Sequence, residues 1–511
     1  MIKSLISVGG FTLISRVTGF LRDIVLASVL GAGFVADAFV VAQRLPNHFR
    51  AIFGEGAFNA AFVPAYSKAL GAEGRASAQL FAGRILSILT IILSILSAIA
   101  IWQMPYLVGF LAPGFFNSPE KYSLAITLTR ITFPYLLFVS IVTLLSGVLN
   151  SHQKFAVAAA APVLLNLSLV IFVSMSFLFP STGHAAAWGV TAAGVMEVLL
   201  LVASAKRAGC LPRFRLPVID LTIKGFFRAL GPAVIGSGGI QIALFIDTIL
   251  SSLMVTGSVS AIYYADRIYQ LPIGIIGIAA GTVLLPAMSR SISSHDYVEA
   301  ERIQGKIIGL TLALTSPFFV AFVLMPDLIL DGVFLRGAFT KDASVAAADV
   351  LSAYAVGLFP IMLIRPISAG FLARQDTVTP LIASMAGIFI NILLKFWLSA
   401  KLGAPGLALA TSIGAWVNFG ILVFLTFSRG ILKMSRELIL TVWAVLGGTT
   451  ILGAFTYIYP TQIVDILYQY GLTTSVVSLT LVGILGLALY SAGYFLSLKF
   501  CYKFLKMVTN N

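Results

Sequence analysis

The sequence predicts an all-α polytopic membrane protein with about fourteen transmembrane helices. Two six-helix lobes, related by an internal repeat, are expected to surround a central cationic cavity, and two further helices follow them. Three observations support this prediction: an unusually apolar composition, a regular series of long apolar runs, and a repeated set of motifs.

The composition excludes a soluble domain. Of the 511 residues, 59% are hydrophobic and 10% are charged, with a mean hydropathy of +1.01. Soluble proteins carry about 25% charged residues. Cys210 and Cys501 are far apart and the four histidines are scattered, so the sequence predicts no disulfide framework, metal site or cofactor.

The apolar runs give the span count and the orientation. A transmembrane helix needs about 20 apolar residues. Candidate spans cover residues 6–30, 34–58, 79–108, 124–149, 156–180, 185–205, 230–254, 259–288, 304–332, 346–372, 378–400, 405–428, 437–458 and 473–498. With both termini in the cytoplasm, 21 Lys and Arg residues fall on the cytoplasmic side and four in external loops, namely Lys121, Arg336, Lys341 and Lys401. The net charge of +14 therefore follows topology and does not indicate a nucleic-acid partner.

An internal repeat divides the chain. "FVPAYSK" (62–68) resembles "LLPAMSR" (284–290), and "GVLNSHQKFAVAAAAP" resembles "GFLARQDTVTPLIASM", at an offset near 222–226 residues. Secondary transporters are often built from such repeats, with the substrate site at their interface. The predicted divisions are an N-lobe, a cytoplasmic amphipathic linker on the membrane surface, a C-lobe, and two last helices with a cytoplasmic C-terminus, at 1–207, 208–229, 230–430 and 431–511.

Arginines within apolar spans are the strongest functional signal. A charge at mid-bilayer costs roughly 2.5–3.5 kcal/mol on insertion scales, so it needs a wet cavity or a partner. Arg16 and Arg22 lie in the first span, with Gly19 and Asp23 beside them, and Arg267 follows Asp266 in the eighth. If the lobes share a pseudo-two-fold axis, the three arginines converge on an anion site suited to phosphate. Snorkelling or structural ion pairing is the alternative for each residue taken alone.

The second span carries further charges. Asp37 precedes "LPNHFRAIFGEGAF", in which Pro46 and two glycines predict a broken helix. Arg50 and Glu55 are expected either to form a structural ion pair or to gate the cavity, and Asp23, Asp37 and Asp266 to support it.

A separate polar cluster is predicted in the second half. Asp247 lies in the seventh span, Asn391 and Lys395 share one face of the eleventh, and Thr411 lies in the twelfth. The alternatives are a buried Asp247–Lys395 pair that holds helices together and a cation-coupling site. Arg130, Glu197 and Arg365 have no assigned role.

Two long motifs carry a family resemblance. "SRVTGFLRDIVLASVLGAG", continued by "ADAFVVAQRLPNHFRAIFGEGAFNAAFVPAYSK", and "GSVSAIYYADRIYQLPIGIIGIAAGTVLLPAMSR" resemble the lipid II flippase family MurJ (also called MviN) of the multidrug/oligosaccharidyl-lipid/polysaccharide exporter superfamily. The resemblance covers essentially the whole chain. It implies fourteen helices, a central cationic cavity with arginines at 16, 22 and 267, and a groove at the last two helices for a polyprenyl tail. Lys395 stands where a sodium site would need an oxygen ligand.

The resemblance implies that lipid II moves from the inner to the outer leaflet of the bacterial cytoplasmic membrane by alternating access, for cell wall synthesis. We expect a monomer that is not an enzyme, and no GxxxxGK[ST] loop for ATP is present. The alternative is a cation-coupled multidrug exporter, or an exporter of another polyprenyl-diphosphate oligosaccharide, from the same superfamily. A membrane enzyme for lipid-linked sugars would need paired carboxylates or a His/Asp cluster, which the sequence lacks. A purely structural scaffold would not need basic residues within its spans.

Overall fold

A computed structural model describes residues 2–53, 56–218, 220–458 and 475–509 of the protein. Its described part is helical and contains no strand, which confirms the predicted fold class. The helices are α1 (Ile2–Leu30), α2 (Phe34–Phe53), α3 (Gly56–Ala72), α4 (Gly74–Trp102), α5 (Met104–Leu111), α6 (Pro119–Thr132), α7 (Tyr135–Ser151), α8 (Phe155–Ser174), α9 (Thr182–Arg207), α10 (Leu221–Ser252), α11 (Ser258–Pro272), α12 (Ile278–Ser293), α13 (Tyr297–Leu324), α14 (Pro326–Phe334), α15 (Lys341–Ala355), α16 (Leu358–Leu372), α17 (Val378–Leu402), α18 (Ala404–Ser428), α19 (Arg436–Ile458) and α20 (Ser475–Thr509).

Ten segments of the described residues are long and apolar enough to cross a membrane. They are α4, α8, α9, α13, α17, α18, α19, most of α20, and the consecutive pairs α6–α7 and α15–α16. The remaining predicted spans coincide with α1, α2, α10 and the α11–α12 pair. The protein is therefore a multi-pass membrane protein, while the count of fourteen spans stays a prediction.

The chain forms two compact units, which we call unit 1 and unit 2. Unit 1 comprises Met1–Ser260 and Arg336–Phe339, and unit 2 comprises Ala261–Leu335 and Thr340–Asn511. Unit 1 includes α10, which packs against α2 and α3. The predicted lobes, with their boundaries at 207 and 230, describe an internal repeat and not packing. They stay a prediction.

Aromatic packing forms the core of unit 1 where α3, α4 and α10 meet. Phe62 stacks on Phe81 at 5.7 Å between ring centroids, and Phe58 meets Phe226 edge-on at 5.6 Å. All four rings are buried. Such rings supply large apolar contact areas, so they hold the first turns of α10 against the helices of unit 1.

Close helix packing defines unit 2. A Cβ added at Gly414 of α18 would lie 2.7 Å from the carbonyl oxygen of Gly387 in α17. Only glycine permits this approach, because any side chain would collide with the facing backbone. α19 and α20 pack similarly, since a Cβ at Gly448 would lie 3.0 Å from the carbonyl oxygen of Tyr490.

Candidate functional site

A polar site lies where α1 packs on α8 in unit 1. Arg22 donates hydrogen bonds to Asp23 Oδ1 from Nε (3.0 Å) and Nη2 (2.7 Å), and from Nη1 to Asn166 Oδ1 (2.9 Å). The side chain of Arg22 is 11% exposed and that of Asp23 is 5% exposed. The carboxylate offsets part of the positive charge, and the three bonds fix the plane of the guanidinium.

Asn166 is also anchored from its other end. Its Nδ2 donates to the carbonyl oxygen of Ser15 (2.9 Å) and to Thr18 Oγ1 (3.1 Å). The amide packs directly against α1, since a Cβ at Gly19 would be in van der Waals contact with Nδ2 at 3.4 Å. Donor and acceptor ends of the amide are thus both used, as burial of a polar group requires. Asn166 consequently positions Arg22 relative to the backbone of α1.

The predicted arginines divide between the units. Arg16 is exposed on α1, and Arg22 is largely covered as described. In unit 2, the guanidinium of Arg267 lies over the ring of Tyr263 at 4.6 Å, and Asp266 accepts a hydrogen bond from Gln270. The convergence of the three arginines on one site stays a prediction.

Asp37 of α2 joins three parts of unit 1. Its wholly buried carboxylate accepts from Lys121 Nζ at 2.6 Å and from the Gly257 N–H at 2.8 Å, both at Oδ2. Oδ1 accepts from the Ser260 N–H (2.9 Å) and from its hydroxyl (2.7 Å). The first turn of a helix lacks partners for its N–H groups, so Asp37 caps α11 from a distant helix. These bonds fit a role for Asp37 in holding the helix ends together, whereas a role for Asp37 in gating stays a prediction.

The other predicted gating residues are only partly described. Arg50 lies in the last turn of α2 and interacts electrostatically with Glu197 in α9. Glu197 is 3% exposed and accepts a hydrogen bond from Tyr135. Glu55 lies outside the described residues, so its predicted pair with Arg50 stays a prediction. α2 continues through Pro46 and ends at Phe53.

The predicted ion-coupling cluster falls in both units. Asp247 belongs to unit 1, whereas the other three members belong to unit 2. Lys395 is 1% exposed, and Thr411 donates to the carbonyl oxygen of Leu407 in its own helix. Asn391 Oδ1 is buried without a hydrogen-bond partner among the described residues. A buried acceptor oxygen four residues from a buried lysine in the same helix fits both predicted alternatives, so the role of the cluster stays a prediction.

Three residues that the sequence did not assign to a site make close contacts in the structure. Lys121 was expected in an external loop, yet it is 4% exposed and paired with Asp37. Asn166 is the single amide side chain in the apolar run of α8, and this position was a signal that it needs a polar partner. Arg365 of α16 lies beside Gly277. Gly277 ends a π-helical turn between α11 and α12, and such turns often mark functional sites.

Metal ligation has no support in the described part of the chain. No group of three or more His, Cys, Asp or Glu residues there could hold an ion.

Comparison with known proteins places the chain in a family. The sequence model "Lipid II flippase MurJ" matches residues 26–482. A "Probable lipid II flippase MurJ" of Rhizobium meliloti is 38% identical over 431 residues, 83% of this chain and 80% of that protein. A "Lipid II flippase MurJ" of Burkholderia cenocepacia is 33% identical over 443 residues, 85% of each chain.

Solved structures share the fold. The structure described as "Lipid II flippase MurJ, inward closed conformation" aligns with a TM-score of 0.78 at 24% identity, covering 98% of this chain and 100% of that one. An inward-facing multidrug resistance MATE transporter aligns with a TM-score of 0.68 at 16% identity, covering 82% and 96%. The family match spans most of the residues and includes Arg267, although Arg16 and Arg22 precede its first residue. The chain therefore belongs to the lipid II flippase family MurJ.

Proposed function

We propose that the protein moves lipid II, undecaprenyl-diphosphate carrying the disaccharide-pentapeptide of peptidoglycan, from the inner to the outer leaflet of the bacterial cytoplasmic membrane. Family membership supports the substrate. The observation on which the mechanism depends is the oriented guanidinium of Arg22 in an otherwise apolar helix. The protein translocates its substrate without making or breaking a covalent bond, so it is not an enzyme.

The proposed mechanism is alternating access around an anion site. A guanidinium is planar and donates paired hydrogen bonds, which match the oxygens of a diphosphate. Asp23 and Asn166 hold Arg22 in one orientation, so little conformational entropy remains to be lost when the substrate binds. Arg16 and Arg267 complete the site when the substrate enters from the cytoplasmic leaflet. Rocking of the lobes then exposes the diphosphate outside, while the polyprenyl tail stays in lipid beside α19 and α20.

The membrane potential supplies a driving force for this direction. Outward movement of an anion from a negative interior gains roughly 2.3 kcal/mol per charge per 100 mV. A diphosphate with about two negative charges thus gains about 4–5 kcal/mol at 100 mV. No ATP is needed in this scheme.

The orientation follows from the distribution of basic residues. With both termini in the cytoplasm, short loops with Lys and Arg lie inside. We further propose that the protein acts as a monomer, with the lipid-linked substrate as its partner.

The fold alone does not distinguish this function from drug export, because MATE transporters share it. A cation exporter would need carboxylates and aromatic rings in its cavity. The basic residues on α1 and α11 favour an anionic substrate.

Transport by the purified protein tests the proposal. Vesicles would contain a fluorescent lipid II, and a membrane-impermeant quencher would report its movement between leaflets. We expect movement with the wild type and none with Arg22→Ala/Asp23→Asn, a variant that leaves no uncompensated carboxylate. Arg130→Gln is the matched control, because Arg130 is exposed and donates to the carbonyl oxygen of Ile101. Unchanged movement with the double variant would overturn the mechanism, and movement of cationic drugs but not of lipid II would favour the exporter.

A further inference from the structure

Residues 208–218, between α9 and α10, are non-helical and packed on unit 1, and the side chains of residues 213–218 are exposed. The Arg215 N–H donates to Ser87 Oγ at 3.0 Å, and Gln79 Nε2 donates to the carbonyl oxygen of Gly209 at 2.8 Å. Gly83 lets the segment approach α4 closely, since a Cβ there would lie 2.2 Å from the carbonyl oxygen of Arg213. The backbone is therefore held on α4, although the side chains of residues 213–218 remain exposed.

The far end of the segment is equally fixed. Asp220 accepts from the Ile223 N–H at 2.8 Å, which caps α10, and it pairs with Arg84. Ile223 and Phe226 are buried in the aromatic core of unit 1. The opposite side of this first part of α10 consequently presents Lys224 and Arg228, and both are exposed.

Basic and apolar side chains alternate along the segment. Phe214 is 63% exposed and Leu216 is 83% exposed, and they alternate with the exposed Arg213 and Arg215. Large apolar side chains that a fixed backbone holds exposed indicate an interaction site. A membrane surface offers hydrocarbon to the apolar side chains and phosphates to the guanidiniums.

The charge of the segment is strongly one-sided. Residues 208–229 carry four cations, at 213, 215, 224 and 228, and one carboxylate, Asp220, which is already paired with Arg84. Topology requires basic residues on this side, but it requires neither a fixed backbone nor exposed apolar partners for them. Those two features indicate a binding surface.

We propose that residues 213–218 and 220–228 form a binding site for anionic phospholipids of the bilayer. The four cations bind the headgroup phosphates, while Phe214 and Leu216 insert among the acyl chains. The site lies on unit 1 and is independent of the lipid II transport proposed above, so each proposal can fail without the other.

Binding of a fluorescent phosphatidylglycerol to the full-length protein in neutral detergent micelles tests the site. Each basic residue near an anionic surface is worth about a fivefold change in affinity, so Arg213→Gln/Arg215→Gln should weaken binding about 25-fold. Lys499→Gln/Lys503→Gln is the matched control, since it removes two exposed cations elsewhere and should change affinity less than about twofold. Unlabelled phosphatidylglycerol should compete and phosphatidylcholine should not.

Several results would overturn the proposal. Unchanged affinity of the arginine variant would do so, as would an equal loss in the lysine control, which would indicate attraction to net charge alone. Competition by inorganic phosphate as strong as that by phosphatidylglycerol would exclude a lipid site.

If the arginine variant does not fold, Lys224→Gln/Arg228→Gln tests the same surface from the helical side and should also weaken binding about 25-fold. Phe214→Ser/Leu216→Ser should weaken binding without a change in charge, and unchanged affinity would contradict insertion.

Discussion

Replacement of Asp37 by Asn should destabilise the protein far more than removal of an exposed ion pair. The change is nearly isosteric, but Asn offers one acceptor oxygen where the carboxylate offers two. If that oxygen serves Ser260, the amide NH₂ faces both Lys121 Nζ and the Gly257 N–H. Two buried donors then lose their acceptor, and the ammonium loses its counter-charge.

Two estimates of the cost agree. Two buried donors without acceptors cost about 1–3 kcal/mol each, or about 2–6 kcal/mol together. Removal of one partner from a buried ion pair costs about 3–5 kcal/mol. We therefore expect the free energy of unfolding to fall by about 3–5 kcal/mol. Addition of Lys121→Met removes the orphan ammonium, and the double variant should lose only about 1–3 kcal/mol.

The measurement is reversible unfolding of the purified protein in mixed micelles, with the double-mutant cycle completed by Lys121→Met alone. Lys341→Met is the control, because Lys341 is 55% exposed and its pair with Asp331 should contribute less than about 1 kcal/mol. A loss below about 1 kcal/mol for Asp37→Asn would refute the argument. So would failure of the double variant to recover stability, since the orphan ammonium would then not be the cause.

Three further predictions concern other contacts. Asn166→Ala should cost about 1.5–3 kcal/mol and slow transport, because the guanidinium bonded at 2.9 Å loses its acceptor; wild-type stability and flipping rate would contradict this role. Gly414→Ala should lower stability by about 1–3 kcal/mol through overpacking, whereas Gly420→Ala in the same helix, with open space around it, should be neutral or stabilising in the same unfolding assay. Burial, with a smaller contribution from Arg75, lowers the pKa of His152 below its ordinary value of about 6.5. The free energy of unfolding should therefore stay constant above about pH 6.5 and fall below that pH, because the unfolded state takes up the proton first. His152→Gln should flatten that dependence in unfolding midpoints taken from about pH 7.5 to 5.5, and an unchanged slope would exclude His152 as its source.

The hydropathy pattern was sufficient to predict the helical class and the position of most helices. Lipid provides no hydrogen bonds for a bare backbone, so a lipid-exposed crossing is helical and apolar, and such runs are visible without tertiary information. The same contrast makes Arg22 conspicuous, because a charge among apolar residues needs a partner. The short helices α5 and α14 were not separated from the predicted spans 79–108 and 304–332, since they continue the apolar runs that precede them.

Partners of the polar residues depended on the folded structure. Arg22 bonds Asn166 across 144 residues, and Asp37 bonds Lys121 across 84 and Ser260 across 223. No periodicity links positions so far apart, and hydropathy placed Lys121 in a loop because a lone lysine resembles a surface charge. Local sequence dictates which segments leave water, whereas the partners that buried charges find there depend on how the helices pack, because only packing brings distant donors within reach of an acceptor.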